Sequence, residues 1–400
     1  MSLAAGREYL AIPGPSVVPA RVLQAMHRAA PNIYEGDIIA LTESLMPDLR
    51  ALARTSHDVA IYIANGHGTW EAAASNVLAP DDHVLVLATG SFAKGWGEMA
   101  TALGVGVEVM DFGTRMPIDA HRVAQRLAED KSHDIKAVLA VHVDTGTSVK
   151  NDIPGLRAAL DEAHHPALLM IDCIASMGCD AFEMDAWGVD VAISASQKGL
   201  MTPPGLGFVW FNDKAAAARK KMGRVSRYWD WQPRTAPKLF SEYWNGTAPT
   251  HHLYGLREAL DMINEEGLAQ VWRRHEIIAQ AYWAAFEKWS VDGGIEMNVS
   301  APAHRSHAVT ALRCPAPLAS DLRAWVSTQL GVTLGIGLGM SEPDDPAWHG
   351  FFRVGHMGHV NGHMALGVIG AIDAGQKALS IPHGPGAGEA AARVIAERLR

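Results

Sequence analysis

The sequence predicts an α/β protein, with a large domain built on a mostly parallel seven-stranded sheet between helices, followed by a smaller α+β C-terminal domain. Three observations carry this. From about residue 57, short β-rich runs alternate with longer helical stretches, the signature of strands joined by crossover helices. Several runs are apolar on nearly every residue, as strands covered on both faces must be. The alternation ends near Phe211, and a different pattern begins after a long aromatic and Pro-rich loop.

Taken in order, the expected strands are Ala60 to Ala64, Val84 to Ala88, Val105 to Met110, Ala137 to His142, Ala167 to Asp172, Val191 to Ser194 and Leu206 to Phe211. Trp70 to Leu78, Ala120 to Glu129 and Ile153 to Ala163 carry helical spacing and good helix formers. A basic helical stretch, Asp213 to Met222, leads into the loop Tyr228 to His252 and the helix Leu253 to Glu266. Then come helix Val271 to Trp289, strand Ala308 to Arg313, and helices Ala319 to Leu330 and Met364 to Ala378. This divides the chain into an N-terminal arm (1–25), a large domain (26–265) and a small one (266–400). No fixed-period repeat or low-complexity linker separates them, so tight packing is expected.

Composition narrows the function classes. At 400 residues the chain is long enough for two to three domains. With 48% hydrophobic and 19% charged residues, disordered and coiled-coil readings lose support. A net charge of −9 disfavours nucleic acid or an anionic membrane as a general partner. Cys173, Cys179 and Cys314 form no C-x-x-C pair, so neither a disulfide framework nor a zinc site is expected and a reducing cytoplasm fits. The first residues lack a basic segment followed by an apolar one, and no run reaches the roughly 18 apolar residues of a spanning helix. The 19 histidines include close sets, His251 with His252, His304 with His307, and His356 with His359 and His363. None has H-E-x-x-H spacing, so no metal is expected.

Three local patterns carry chemistry. Lys198 stands just past a strand in Ser194-Ala195-Ser196-Gln197-Lys198-Gly199, a small-residue loop closed by Pro203-Pro204-Gly205. Held there and partly desolvated, an ammonium has its pKa lowered, as an imine-forming lysine requires; the plain alternative is a surface lysine. Asp172 ends a strand after five apolar residues, and the carboxyl ends of strands in open α/β sheets form the ligand crevice. The alternative there is an Asp capping a turn. Asn65-Gly66-His67-Gly68-Thr69 is a glycine turn whose free N–H groups, with the Thr69 hydroxyl, make an anion site at a helix start, although many βα turns use glycine for geometry alone. An amine and an acid on neighbouring strand ends are the two groups that pyridoxal phosphate needs.

These patterns, with Pro13-Gly14-Pro15 and Arg353-Val354-Gly355-His356-Met357-Gly358, resemble the class V aminotransferases of fold type I from about residue 10 to the C-terminus. Within that class the chain is most similar to the alanine/serine–glyoxylate branch, and Ile381-Pro382-His383-Gly384 is similar to the serine–glyoxylate enzymes. The resemblance implies pyridoxal 5'-phosphate in the large domain, with Lys198 as imine-forming amine and proton carrier, and Asp172 as partner of the pyridine nitrogen. It implies Phe92 stacked on the ring, Thr145 near the phenolic oxygen, and Gly66, His67, Gly68, Thr69 and Gln197 about the phosphate. Thr247 would reach the phosphate of a neighbouring subunit in a homodimer with shared sites. Trp244 stands where the family usually has Tyr, and its indole N–H can still donate. Arg353 would bind the substrate carboxylate, with a buried salt bridge as the structural alternative. Gly14 and Tyr34 complete the expected substrate site.

The implied reaction moves an amino group from a small amino acid, serine or alanine, to a small 2-oxo acid, glyoxylate or pyruvate. Asn32-Ile33-Tyr34-Glu35-Gly36-Asp37 also resembles the pyridoxamine–pyruvate variation. An aspartate–glyoxylate enzyme would need a further cation, for which Lys94, Arg224 and Arg227 are candidates. Cysteine desulfuration is disfavoured because Gln197 stands where that chemistry usually has His. A cofactor-free α/β protein would have no need of Lys198, Asp172 and the glycine turn together. Gly335-Ile336-Gly337-Leu338-Gly339 reads as a flexible rim of the substrate pocket, since no βαβ unit follows it.

Overall fold

The computed structural model describes residues 2–290 and 294–400. Among the described residues, twelve strands form two sheets. They are β1 (Tyr9–Ala11), β2 (Asp58–Ala64), β3 (His83–Ala88), β4 (Gly106–Asp111), β5 (Ile135–Val141), β6 (Leu168–Asp172), β7 (Val191–Ala195), β8 (Gly205–Phe211), β9 (Glu296–Met297), β10 (Val309–Arg313), β11 (Val332–Ile336) and β12 (Phe351–Gly355).

The large sheet has the order β2-β8-β7-β6-β5-β3-β4. Every pairing from β7 to β4 is parallel, and β8 runs antiparallel to both of its neighbours. Its strands alternate between two cores, as the period of two demands. Ile61, Leu85, Val138 and Leu169 meet helices Asp37–Leu52, Ala120–Glu129 and Ile153–Glu162 on one face. Tyr62, Val86, Leu139 and Met170 meet helices Gly66–Val77 and Ser91–Ala102 on the other. Both faces are dry, so the seven expected strands read as nearly continuous apolar runs.

The small sheet has the order β1-β11-β12-β10-β9 and packs on helices Leu268–Trp289, Leu318–Leu330 and Gly362–Ala378. Two domain limits differ from expectation. Tyr9–Ala11 pairs in parallel with Val332–Leu334, so the N-terminal segment is the edge of the small sheet and not a separate arm. Helix Leu268–Trp289 serves both bodies, with Val271 in the large core and Ile278 onward in the small one, so the border falls inside the helix. The loop after Tyr228 also holds short helices, Gln232–Thr235 and Phe240–Tyr243.

Among the described residues, no helix is long and apolar enough to cross a membrane, and no group of three or more His, Cys, Asp or Glu is placed to hold a metal ion.

Candidate active site

The C-terminal ends of β5, β6 and β7 open on one cavity of about 290 Å³, lined by Gly14, Gly66, His67, Phe92, Thr145, Asp172, Gln197 and Lys198. Asn65, Trp70, Val141, Val143 and Ile174 complete much of its wall. Eight of the fourteen expected site residues therefore meet in one place.

Asp172 is the last residue of β6 and is buried. Its Oδ2 accepts from the Trp70 indole N–H at 2.7 Å and its Oδ1 from the Ile174 N–H at 2.7 Å. Burial pushes its pKa up to about 6. Lys198 follows β7 by three residues. Its Nζ donates to the Pro13 carbonyl at 2.7 Å and lies 3.5 Å from the Thr145 hydroxyl. Burial, then the Arg353 charge, lower its pKa to about 8. Its loop is pinned from the N-terminal segment, because Ser16 Oγ donates to the Lys198 carbonyl at 2.7 Å and the Ser16 N–H to the Gln197 carbonyl at 2.8 Å. A Cβ on Gly14 would sit 2.9 Å from two carbons of the lysine stem, so only glycine lets the two approach.

The glycine turn starts helix Gly66–Val77. Asn65 caps it, its Oδ1 accepting from the Gly68 N–H at 3.2 Å, while the Thr69 N–H goes to the Asn65 carbonyl. The N–H groups of Gly66 and His67 are the leading donors at the cavity. Thr69 departs from expectation. Its hydroxyl donates to the Gly66 carbonyl at 2.6 Å and is fully buried, because a buried hydroxyl takes the nearest carbonyl acceptor. Gly68 packs on Ala64 and Trp229 and contributes shape, outside the cavity lining.

Arg353 lies in the middle of β12 and reaches toward the cavity from the small sheet. Its Nε donates to the Ile336 carbonyl at 2.6 Å and its Nη1 to the Thr145 carbonyl at 2.8 Å. Nη2 makes no protein hydrogen bond among the described residues. Burial lowers its pKa to about 10, so it stays charged, with Asp144 the anion acting on it.

Asp144 was not singled out from the sequence. Wholly buried, it accepts from Gly146, Thr147 and Phe92 N–H groups at 2.9, 3.0 and 3.4 Å, and thereby ties the Thr145 loop to the Phe92 loop. Trp70 was likewise read only as a helix residue. A signal for both existed: an Asx turn in Asp144-Thr145-Gly146, and an aromatic one turn after a glycine turn. The Gly335 to Gly339 stretch closes on these loops, with the Leu338 carbonyl against Gly146 and Gly339 against Ser91.

Three further expected residues do not line this cavity. Trp244 is 1% exposed and packed with Phe240 and Tyr243 in the large core, outside the lining of its own chain's cavity, and its indole N–H has no partner among the described residues. Tyr34 is 85% exposed and does not line this cavity, since the loop before helix Asp37–Leu52 runs over the surface. Glu35 accepts from Asn32. Thr247 is exposed. Of the candidate extra cations, Lys94 pairs with Asp111 at 2.7 Å and Arg227 donates to Asn245 at 3.0 Å.

The profile of the family Aminotransferase class-V matches residues 9–345. The chain is a class V aminotransferase. It is 37% identical to a serine–glyoxylate aminotransferase of Methylorubrum extorquens over 97% of this chain and 95% of that protein. It is 33% identical to an L-aspartate–glyoxylate aminotransferase of Paracoccus denitrificans over 96% and 94%. The crystal structure of ureidoglycine–glyoxylate aminotransferase from Bacillus subtilis superposes with a TM-score of 0.87 at 22% identity, covering 99% of this chain and all of that one, which speaks for the fold.

As a class V aminotransferase the protein uses pyridoxal phosphate, and the cavity fits that group. It offers an amine and a carboxylate on neighbouring strand ends and two N–H groups at a helix start. The buried Gln197 Oε1, at its wall, has no partner among the described residues, a polar atom left for a ligand to satisfy.

Proposed function

We propose that this aminotransferase moves an amino group from a small neutral amino acid, serine or alanine, to glyoxylate. The observation that carries the reading is the cavity itself. Lys198 and Asp172 line it, and Arg353, behind the lining, is tied to the carbonyl of the lining residue Thr145 with Nη2 to spare. Pyridoxal phosphate, when bound, supplies an aldehyde that takes up amines and a ring that draws electrons from the substrate α-carbon.

The residues divide the remaining work. Lys198 Nζ takes the proton from the α-carbon and returns it, and a pKa of about 8 keeps a useful neutral fraction near neutral pH. Asp172 holds the proton at the ring nitrogen. Phe92, on the cavity wall, would pack against the cofactor, and the Thr145 hydroxyl lies 3.5 Å from the Lys198 amine. The N–H groups of Gly66 and His67 bind phosphate oxygens together with Gln197. Arg353 Nη2 meets the substrate carboxylate, fixed by its two backbone acceptors.

A donor with a second carboxylate would want a second cation. Of the candidates, Lys94 is paired with Asp111, outside the lining of this cavity, and neither Arg224 nor Arg227 lines it, which supports a neutral donor. The exposed Thr247 suits a contact with the cofactor phosphate of a second copy, so we read the protein as a homodimer with shared sites, working in the cytoplasm. Half-reactions with single amino donors test the substrate: serine and alanine should convert the bound cofactor to its amine form fastest, and glyoxylate should restore it. Faster conversion by aspartate would overturn the reading.

A further inference from the structure

Trp70 has no part in the roles assigned so far, yet its side chain donates to Asp172 at 2.7 Å, as close as the Ile174 backbone N–H. It is 2% exposed. Its indole lies parallel to Trp96, with centroids 6.3 Å apart and planes 13° from parallel. His67 and Phe92 meet it edge-on, at 4.5 and 6.4 Å. Three rings therefore leave the indole one orientation, which aims its N–H at Asp172 Oδ2, 2.7 Å away. With the Ile174 N–H on Oδ1, both carboxylate oxygens receive a donor.

We propose that Trp70 is a positioning residue that keeps the Asp172 side chain ionised and turned toward the cavity. The proposal rests on the reading of Asp172 as the group that holds the ring-nitrogen proton. Two N–H donors favour a carboxylate over a neutral carboxyl. Lys198 acts in the same direction, and burial and the Asp144 charge act against it. Cys173, the next residue, stays a neutral thiol because burial raises its pKa. The opposing influences leave Asp172 raised to about 6, with the Trp70 N–H among the groups that pull it down.

The test uses the holoenzyme and three variants, Trp70→Phe, Trp96→Phe and Asp172→Asn. The dissociation constant of pyridoxal phosphate, the visible absorption and kcat/KM are followed from about pH 5 to about pH 9. Trp70→Phe should move the acid-side midpoint of all three upward by about one unit, the size of a lost hydrogen bond to a charged group. Trp96→Phe, which disturbs the stack but keeps the Trp70 N–H, should leave the midpoint in place. If Trp70→Phe does not fold, Trp70→His carries the test, and a midpoint within about half a unit of wild type supports a donor role. An unmoved midpoint in Trp70→Phe, or an equal shift in Trp96→Phe, overturns the assignment to Trp70 and leaves that of Asp172 standing. Wild-type absorption and rate in Asp172→Asn overturn the reading of Asp172 itself.

Discussion

The two sheets serve the cavity in different ways. The large sheet delivers its polar groups at or just beyond strand ends, after runs of buried apolar residues: Thr145 after β5, Asp172 at the end of β6, Lys198 after β7. The small sheet delivers Arg353 from the middle of β12, where two backbone carbonyls hold the guanidinium. A strand end places a group rigidly and leaves its tip free, which suits chemistry that needs one geometry. The mid-strand Arg353 is anchored through two of its three nitrogens, and keeps Nη2 to meet an anion.

This contrast predicts a ranking. Lys198→Ala should have the largest effect, removing the visible absorption of bound cofactor and lowering kcat by at least about a thousandfold. A variant that kept both would show that the strand-end amine is idle. Asp172→Asn should follow, with kcat down about a hundredfold or more and a smaller change in KM. Arg353→Lys should mainly raise KM for both amino donor and 2-oxo acid, by about ten- to a hundredfold, because an ammonium cannot reproduce the fixed fork. A fall in kcat alone would place Arg353 with the chemistry and erase the contrast.

Two smaller effects sharpen it. In the cofactor-free protein, Lys198→Met should raise stability by about 1–2 kcal/mol at neutral pH, since wild type buries a cation whose folded pKa is about 8. That cost is fully present below pH 8 and fades as pH rises toward the ordinary lysine value. The gain of the variant should therefore shrink over the same range in thermal melts. Smallest of all, Trp244→Phe should leave the dissociation constant of pyridoxal phosphate within about twofold, because the indole lies in the core. A tenfold loss of affinity would return Trp244 to the phosphate.

The sequence made the large sheet and its edge legible because buried parallel strands are apolar throughout and their C-terminal ends share one rim. Knowing where a strand stops is then enough to place Asp172 and Lys198 together. What stayed hidden depends on pairing between distant segments. Nothing local in Tyr9–Ala11 says that it joins β11, and nothing near Trp70 says that its N–H meets a carboxylate 102 residues away. The side-chain partners of Thr69 and Trp244 stayed hidden for a related reason. The resemblance supplied a residue type at a position, whereas the orientation of the side chain was decided by a carbonyl three residues back in one case and by two aromatic rings in the other.

The strand Tyr9–Ala11 runs directly into Pro13, whose carbonyl receives the Lys198 ammonium, and on to Ser16, which grips the same lysine's backbone. Trimming the chain back to the first helix would thus strip an acceptor and two fastenings from the reactive amine as well as an edge strand. The beginning of this polypeptide is working machinery, and expression designs that shorten it should expect altered lysine reactivity before any loss of fold.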